Sequence, residues 1–164
     1  MKEYQELGHM TLCEAPPKDT ICYYLPHHAV MKESSTTAKT RVVFDGSAKS
    51  STGILLNDAL MVGLVLQKDL CAQLLFFRKH QYALTTDVEK MYPQILVQPE
   101  DRDLQRIVWR DSPEEKIRHY QLNTVTYGLG PSSFLATRCL DKLCQNRYEL
   151  KWTFYPEARR CRSY

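Results

Sequence analysis

Strand-like and helix-like segments are mixed along this chain without the strict alternation that a doubly wound parallel sheet needs, and this restricts the fold more than any single residue does. Leu66, Leu70, Leu74 and Phe77 recur at helical spacing, which predicts an amphipathic helix over residues 66–80. A second long helix is predicted over residues 131–146, opened by Pro131 and carrying Phe134, Leu135, Cys139 and Leu143 on one face. Residues 22–31 read as extended, interrupted at Pro26, and residues 40–44 as a short β-branched strand. Residues 82–86 read as another short strand, ending at Asp87. Strands over 107–110 and 117–125 flank the polar run Asp111-Ser112-Pro113-Glu114-Glu115, which predicts a hairpin. Pro99 with Glu100, Asp101 and Asp103 marks a short helix whose acids suit its dipole. Residues 45–58, with Gly46, Gly53 and Asn57 among their turn formers, are the longest predicted loop, and a last short helix is placed after Pro156. The expected class is α+β, and 164 residues suit one domain.

A chain with 43% hydrophobic and 25% charged residues has the composition of a soluble globular protein. Its densest apolar patch, residues 70–77, includes Gln73 and is too short to span a bilayer. The opening run Met1-Lys2-Glu3-Tyr4-Gln5-Glu6 lacks the apolar core of a signal peptide. The expected compartment is therefore intracellular, cytoplasmic or nuclear, with no membrane partner. The net charge of +3 permits nucleic-acid binding without arguing for it. Its distribution says more: Lys32, Lys39, Arg41 and Lys49 cluster early, and Arg159, Arg160 and Arg162 cluster late. The six cysteines form no Cys-x-x-Cys pair and read as free thiols. The neighbours His27 and His28 point to opposite faces of a strand, which makes them poor joint ligands for one ion.

Three positions invite chemistry. Asp87 follows Ala83-Leu84-Thr85-Thr86, and a carboxylate at the tip of a buried strand is costly unless a cation meets it. Taken alone it reads more readily as the N-cap of a following helix. The segment Tyr127-Gly128-Leu129-Gly130-Pro131 opens a helix, where glycines permit close backbone approach and the helix end favours anions; taken alone it is an ordinary turn. Arg41, in Thr40-Arg41-Val42-Val43-Phe44-Asp45, has a guanidinium that forks onto phosphate oxygens or simply stands exposed on an edge strand.

In order and spacing these runs resemble a reverse transcriptase. Tyr24-Leu25-Pro26-His27-His28-Ala29-Val30, then Thr40-Arg41-Val42-Val43-Phe44-Asp45-Gly46-Ser47-Ala48, then Leu56-Asn57-Asp58 closely resemble the BEL/Pao class of long-terminal-repeat retrotransposons. So do Asp87-Val88-Glu89-Lys90-Met91-Tyr92, Leu104-Gln105-Arg106-Ile107-Val108-Trp109-Arg110 and Thr124-Val125-Thr126-Tyr127-Gly128. The likeness implies fingers and a partial palm in one domain, with residues 1–80 mainly fingers and 81–164 palm with a fingers insertion.

It also implies template-directed synthesis of DNA on RNA or DNA, assisted by Mg2+, with a template-primer and dNTP as partners. By resemblance Asp87 is the catalytic, metal-binding carboxylate, and the main-chain carbonyl of Val88 is a further ligand. Arg41, Tyr92, Tyr127 and Gly128 would bind the dNTP, Tyr92 by packing against its sugar. Lys39, Arg138 and Lys142 are second-rank contacts to triphosphate or template.

Two departures stand out. Pro93 follows Tyr92 where the family has a residue with a backbone donor. The chain also reaches Tyr155-Pro156-Glu157-Ala158 and ends at Tyr164 without the Tyr-x-Asp-Asp hairpin of the family, and without thumb, connection or RNase H regions. One aspartate cannot hold two Mg2+ in octahedral geometry, so the resemblance implies a fragment that is inactive by itself. The alternatives are a residual nucleic-acid-binding module, or a remnant of a decayed element without a function of its own.

Overall fold

The computed structural model describes residues 1–31, 40–67 and 69–151. Among the described residues two small antiparallel sheets and four α-helices make up a mixed architecture that agrees with the α+β class. The elements are α1 (Lys2–Glu6), β1 (Met10–Cys13), β2 (His27–Met31), β3 (Thr40–Phe44), α2 (Leu56–Ala59), α3 (Leu70–Phe77), β4 (Arg106–Trp109), β5 (Arg118–Leu122) and α4 (Ser132–Lys151). Two 3₁₀ turns, Tyr92–Gln94 and Pro99–Gln105, lie between α3 and β4. Lys32, Lys39, the late arginine cluster and the helix expected after Pro156 lie outside the described residues.

The first sheet has the order β1-β5-β4. The β4–β5 pair is the expected hairpin, in register from Arg106↔Gln121 to Trp109↔Arg118. Strand β1, which periodicity did not single out, closes the other side with Met10 opposite Leu122. Asn123 then ties the N-terminal segment down: its Nδ2 donates to the Gly8 carbonyl at 2.9 Å and to Thr11 Oγ1 at 2.6 Å. The second sheet pairs β2 with β3, with His27 opposite Phe44 and Val30 opposite Arg41. The chain before β2 runs parallel to the start of β4, with Leu25 N donating to the Arg106 carbonyl at 2.8 Å.

One core joins the two sheets. Met10, Leu25, Phe44, Leu56, Ile107, Tyr120 and Leu122 form a single buried cluster. Beneath it Gln105, only 3% exposed, donates to the carbonyls of Leu122 (2.6 Å) and Thr124 (3.0 Å). The first bond satisfies the carbonyl of the last residue of β5, and the second joins the bond that the Thr124 carbonyl accepts from Thr126 Oγ1 at 3.1 Å.

Four expectations need correction. The helix expected over 66–80 is the shorter Leu70–Phe77, because the Asp69 carboxylate accepts from Cys71 N and Ala72 N and starts it there. It buries none of its residues, and Leu70, Leu74 and Phe77 stay exposed. The strand expected over 82–86 does not form. Those residues are irregular and make no main-chain hydrogen bond to another described residue, and Leu84 is 96% exposed. Strand propensity expresses packing against a neighbouring strand, and no described strand lies beside this one. The loop expected over 45–58 contains the short helix α2. The helix expected after Pro99 is a 3₁₀ helix. Among the described residues no helix is long and apolar enough to cross a membrane, and the five described cysteines are free thiols.

A pH dependence follows from the N-terminal segment. The His9 ring meets Tyr4 edge-on at 5.7 Å. Burial holds its imidazole below the ordinary value, Lys90 adds to this, and Glu3 opposes it. The folded chain therefore binds fewer protons than the unfolded chain, and stability falls as pH drops through the ordinary histidine value near 6.5 toward the folded one. Thermal melts should show a lower Tm at about pH 5.5 than at about pH 7.5, with a smaller difference in His9→Gln. An unchanged pH dependence in that variant would remove His9 as its source.

Candidate functional site

Four stretches far apart in the sequence meet at the end of β3. Gly128 adopts φ +88°, and a Cβ placed on it would lie 2.0 Å from the Phe44 carbonyl oxygen. The loop 127–130 is thus laid directly on the β3 backbone, which only glycine permits there. Asp45 N donates to the Pro26 carbonyl at 2.9 Å, and the Asp45 carboxylate accepts from Ser47 N at 2.9 Å, turning the chain at Gly46. Asn57 then spans the gap. Its Nδ2 donates to Ser47 Oγ at 2.8 Å and to the Gly128 carbonyl at 3.1 Å, and its Oδ1 accepts from Gly130 N at 2.8 Å. Both ends of one amide hold both sides of the glycine loop. Asn57 lies in a run quoted above, but was not assigned a site role; a lone Asn in a turn-rich stretch carries no local signal of a bond 71 residues away.

The aromatic pair is the other half of the site. Tyr92 and Tyr127 have ring centroids 4.5 Å apart, tilted by 45°. Tyr92 Oη lies 3.0 Å from Ser133 Oγ at the start of α4. Ser132 is buried and donates to the Thr126 carbonyl at 2.5 Å, fixing the helix start against the loop. Tyr127 remains 45% exposed, so its ring presents a face to solvent. Pro93 sits in the first turn of the 3₁₀ helix Tyr92–Gln94, where its missing N–H forfeits no helical bond. Beside the loop, Val62, Leu64, Phe134 and Thr137 help line a cavity of about 190 Å³.

Asp87 stands differently from its expectation. It is exposed, and its Oδ1 accepts from Val88 N at 2.9 Å. The desolvation argument for a cation therefore lapses, since a solvated carboxylate needs no counter-charge. Among the described residues no three His, Cys, Asp or Glu side chains converge to hold a metal ion. Among the described residues Asp87 and Val88, which offers at most its carbonyl, do not make up a ligand set for two Mg2+. After Asp87 the chain turns through Lys90, which has φ +48°, and Lys90 Nζ pairs with Glu3 Oε1 at 2.7 Å. Gln94 Nε2 donates to the Glu89 carbonyl and closes the turn.

Of the remaining site residues, Arg41 is exposed on β3. Strand alternation puts it on the face opposite the buried Phe44. Arg138 pairs with Asp141 of its own helix at 3.1 Å, and Lys142 is exposed. Lys39 lies outside the described residues. The structure thus brings Tyr92, Tyr127 and Gly128 together, leaves Arg41 at the surface of the same sheet, and leaves Asp87 in solvent.

No family model matches the chain, and no curated protein matches it.

Proposed function

We propose that this chain is the fingers-and-palm portion of a reverse transcriptase of the BEL/Pao class, a fragment of an RNA-directed DNA polymerase that is inactive by itself. The observation that carries the reading is the meeting of the resembling runs. The end of β3, Asn57, Tyr92 and Tyr127-Gly128 are remote in sequence and are joined by a 4.5 Å ring contact and by hydrogen bonds through one asparagine. Such convergence is what a nucleotide site requires, because its contacts have to be held by rigid neighbours. In this reading Tyr127 offers its exposed face to the nascent base pair and Tyr92 backs it, pinned by Ser133. Gly128 lets the loop main chain lie close to the bound pair, and Arg41 reaches the triphosphate.

Mg2+ belongs to the assembled enzyme. Asp87 would contribute one carboxylate, and the remainder of the ligand set would come from polypeptide beyond these 164 residues. A primer-extension assay tests this. The isolated chain with template-primer, dNTP and Mg2+ should give no extension. The chain extended by a segment carrying a Tyr-x-Asp-Asp hairpin should extend the primer, and Asp87→Asn should lower that activity by at least about a hundredfold. Extension by the isolated chain, or extension indifferent to Asp87→Asn, would overturn the proposal.

A further inference from the structure

Helix α3 is apolar on nearly every side. Its sequence, Leu70-Cys71-Ala72-Gln73-Leu74-Leu75-Phe76-Phe77, carries no charge, and none of its residues is buried. A helix without a charged face belongs in an interior, and eight residues are too few to hold a helix in water by propensity alone. The Asp69 cap steadies its first turn, but the rest of its stability has to come from packing. Leu70, Leu74 and Leu75 are nevertheless each more than half exposed.

The chain that leads into α3 is just as open. Met61 is 91% exposed and Val65 93%, with Val62 and Leu64 mostly exposed beside them. One side of this stretch leans on the body of the protein, where a Cβ placed on Gly63 would lie 2.3 Å from the Phe134 ring. No main-chain to main-chain hydrogen bond ties the described residues of 61–86 to a described residue outside that stretch.

The charges of residues 61–77 are Lys68 and Asp69, adjacent and opposite in sign. Such a surface selects no charged partner; its match is another uncharged apolar surface, and in a solution of this chain a second copy presents one of the same size. The area is sufficient. At roughly 150 Å² for each fully open side chain, residues 61–66 and α3 together offer about 900 Å² per copy, against the roughly 800 Å² per partner that a stable association buries. Neither segment reaches that area by itself.

We propose that α3 is the centre of a symmetric dimer, packed antiparallel against α3 of a second copy of this chain, with residues 61–66 extending the buried surface. A two-fold axis between Gln73 and Leu74 sets Leu70 of one copy level with Phe77 of the other, and Gln73 level with Leu74. Leu70, Gln73, Leu74 and Phe77 lie on one stripe at helical spacing, so the same stripe serves both copies. Closure by a two-fold axis stops assembly at two chains. The inference does not rest on the polymerase reading and uses none of the residues around Tyr92, Tyr127 and Gly128.

The test is sedimentation of the full chain between about 1 and 100 µM. The mass should be that of two chains at the upper end and fall toward that of one on dilution. Leu74→Glu sets two carboxylates beside the axis and should weaken the dimer at least about a hundredfold. Its thermal melt at low concentration should match the parent, since α3 lies outside the buried core. Ile21→Glu changes an apolar side chain that is 84% exposed on the segment before β2, and should leave the dimer unchanged. Gln73→Cys brings two thiols together across the axis, so mild oxidation should trap a covalent dimer at least about tenfold faster than in the parent with its own cysteines. The mass of one chain at every concentration would leave α3 to a different polypeptide and overturn the proposal. Growth beyond two chains, an unchanged dimer in a folded Leu74→Glu variant, loss of the dimer in Ile21→Glu, or no faster trapping of Gln73→Cys would each overturn it as well.

Discussion

Gly128→Ala is expected to abolish the cooperative melt of this chain or to lower its Tm by ten degrees or so. The added methyl would sit 2.0 Å from the Phe44 carbonyl oxygen, a backbone atom in the middle of the structure that cannot rotate away. Relief requires lifting the 127–130 loop off β3, which breaks the Asn57 bonds to the Gly128 carbonyl and to Gly130 N. The residue also has φ +88°, which L side chains rarely adopt. Overpacking, backbone strain and lost hydrogen bonds act together, and a cost of about 3–5 kcal/mol is expected. That is a large share of the roughly 5–15 kcal/mol that holds a domain folded. Gly53→Ala is the internal control. Gly53 has φ +82° but nothing lies within 4 Å of the added Cβ, so only the conformational cost of about 1–2 kcal/mol applies. Thermal melts of the two variants separate strain from collision. Equal Tm values would show that the loop is not seated on β3 as described.

The second large effect is expected at Arg106. Its side chain is 7% exposed, and the guanidinium makes a doubled contact to Asp103 Oδ1, from Nη2 at 2.6 Å and from Nε at 2.7 Å. Its Nη1 also donates to the Glu14 carbonyl at 2.8 Å and to Cys13 Sγ at 3.5 Å, so one side chain links β4 to the end of β1 and the residue after it. Arg106→Ala removes these bonds, opens a void and leaves a partly buried Asp103 carboxylate with Gln121 as its side-chain donor among the described residues. Breaking a buried pair from one side costs about 3–5 kcal/mol. Arg106→Lys keeps the charge but not the fork, and should recover only part of that. Pairing Arg106→Met with Asp103→Asn removes the stranded charge, so the double variant should melt above Arg106→Met alone. Urea titrations of these four variants decide the matter. A double variant no more stable than the single one would mean that the cost lies in packing and not in the lone carboxylate.

How much of this was legible in the sequence differs from element to element. The β-branched run ending at Phe44 gave β3 with its bounds, because both its propensity and its alternation point the same way. The β4–β5 hairpin was legible from its polar turn around Pro113, and α4 from Pro131 just before Ser132. Strand β1 was not, since its partner among the described residues is the distant β5 and its four residues, Met-Thr-Leu-Cys, are too few to show a period. The strand expected over 82–86 failed for the complementary reason. Its pattern is strand-like, but pairing needs a neighbour, and none is described beside it. In the candidate site, Tyr92, Tyr127 and Gly128 were reached through resemblance and do meet. Asn57 was missed as the connecting residue, because what it does depends on a loop that arrives from the far end of the chain. The buried setting expected for Asp87 depended on the strand that did not form, and went with it.

The pairing of Met10 with Leu122 also sets a timetable for biosynthesis. β4 and β5 can zip as soon as both have left the ribosome, but β1 has been waiting since early in translation for the strand it needs. At about 5–20 residues per second, the hundred or so residues between them impose a delay of roughly ten seconds. Throughout that interval the nascent chain holds an unpaired strand and half a core, and the order in which the two sheets mature is decided by the direction of translation.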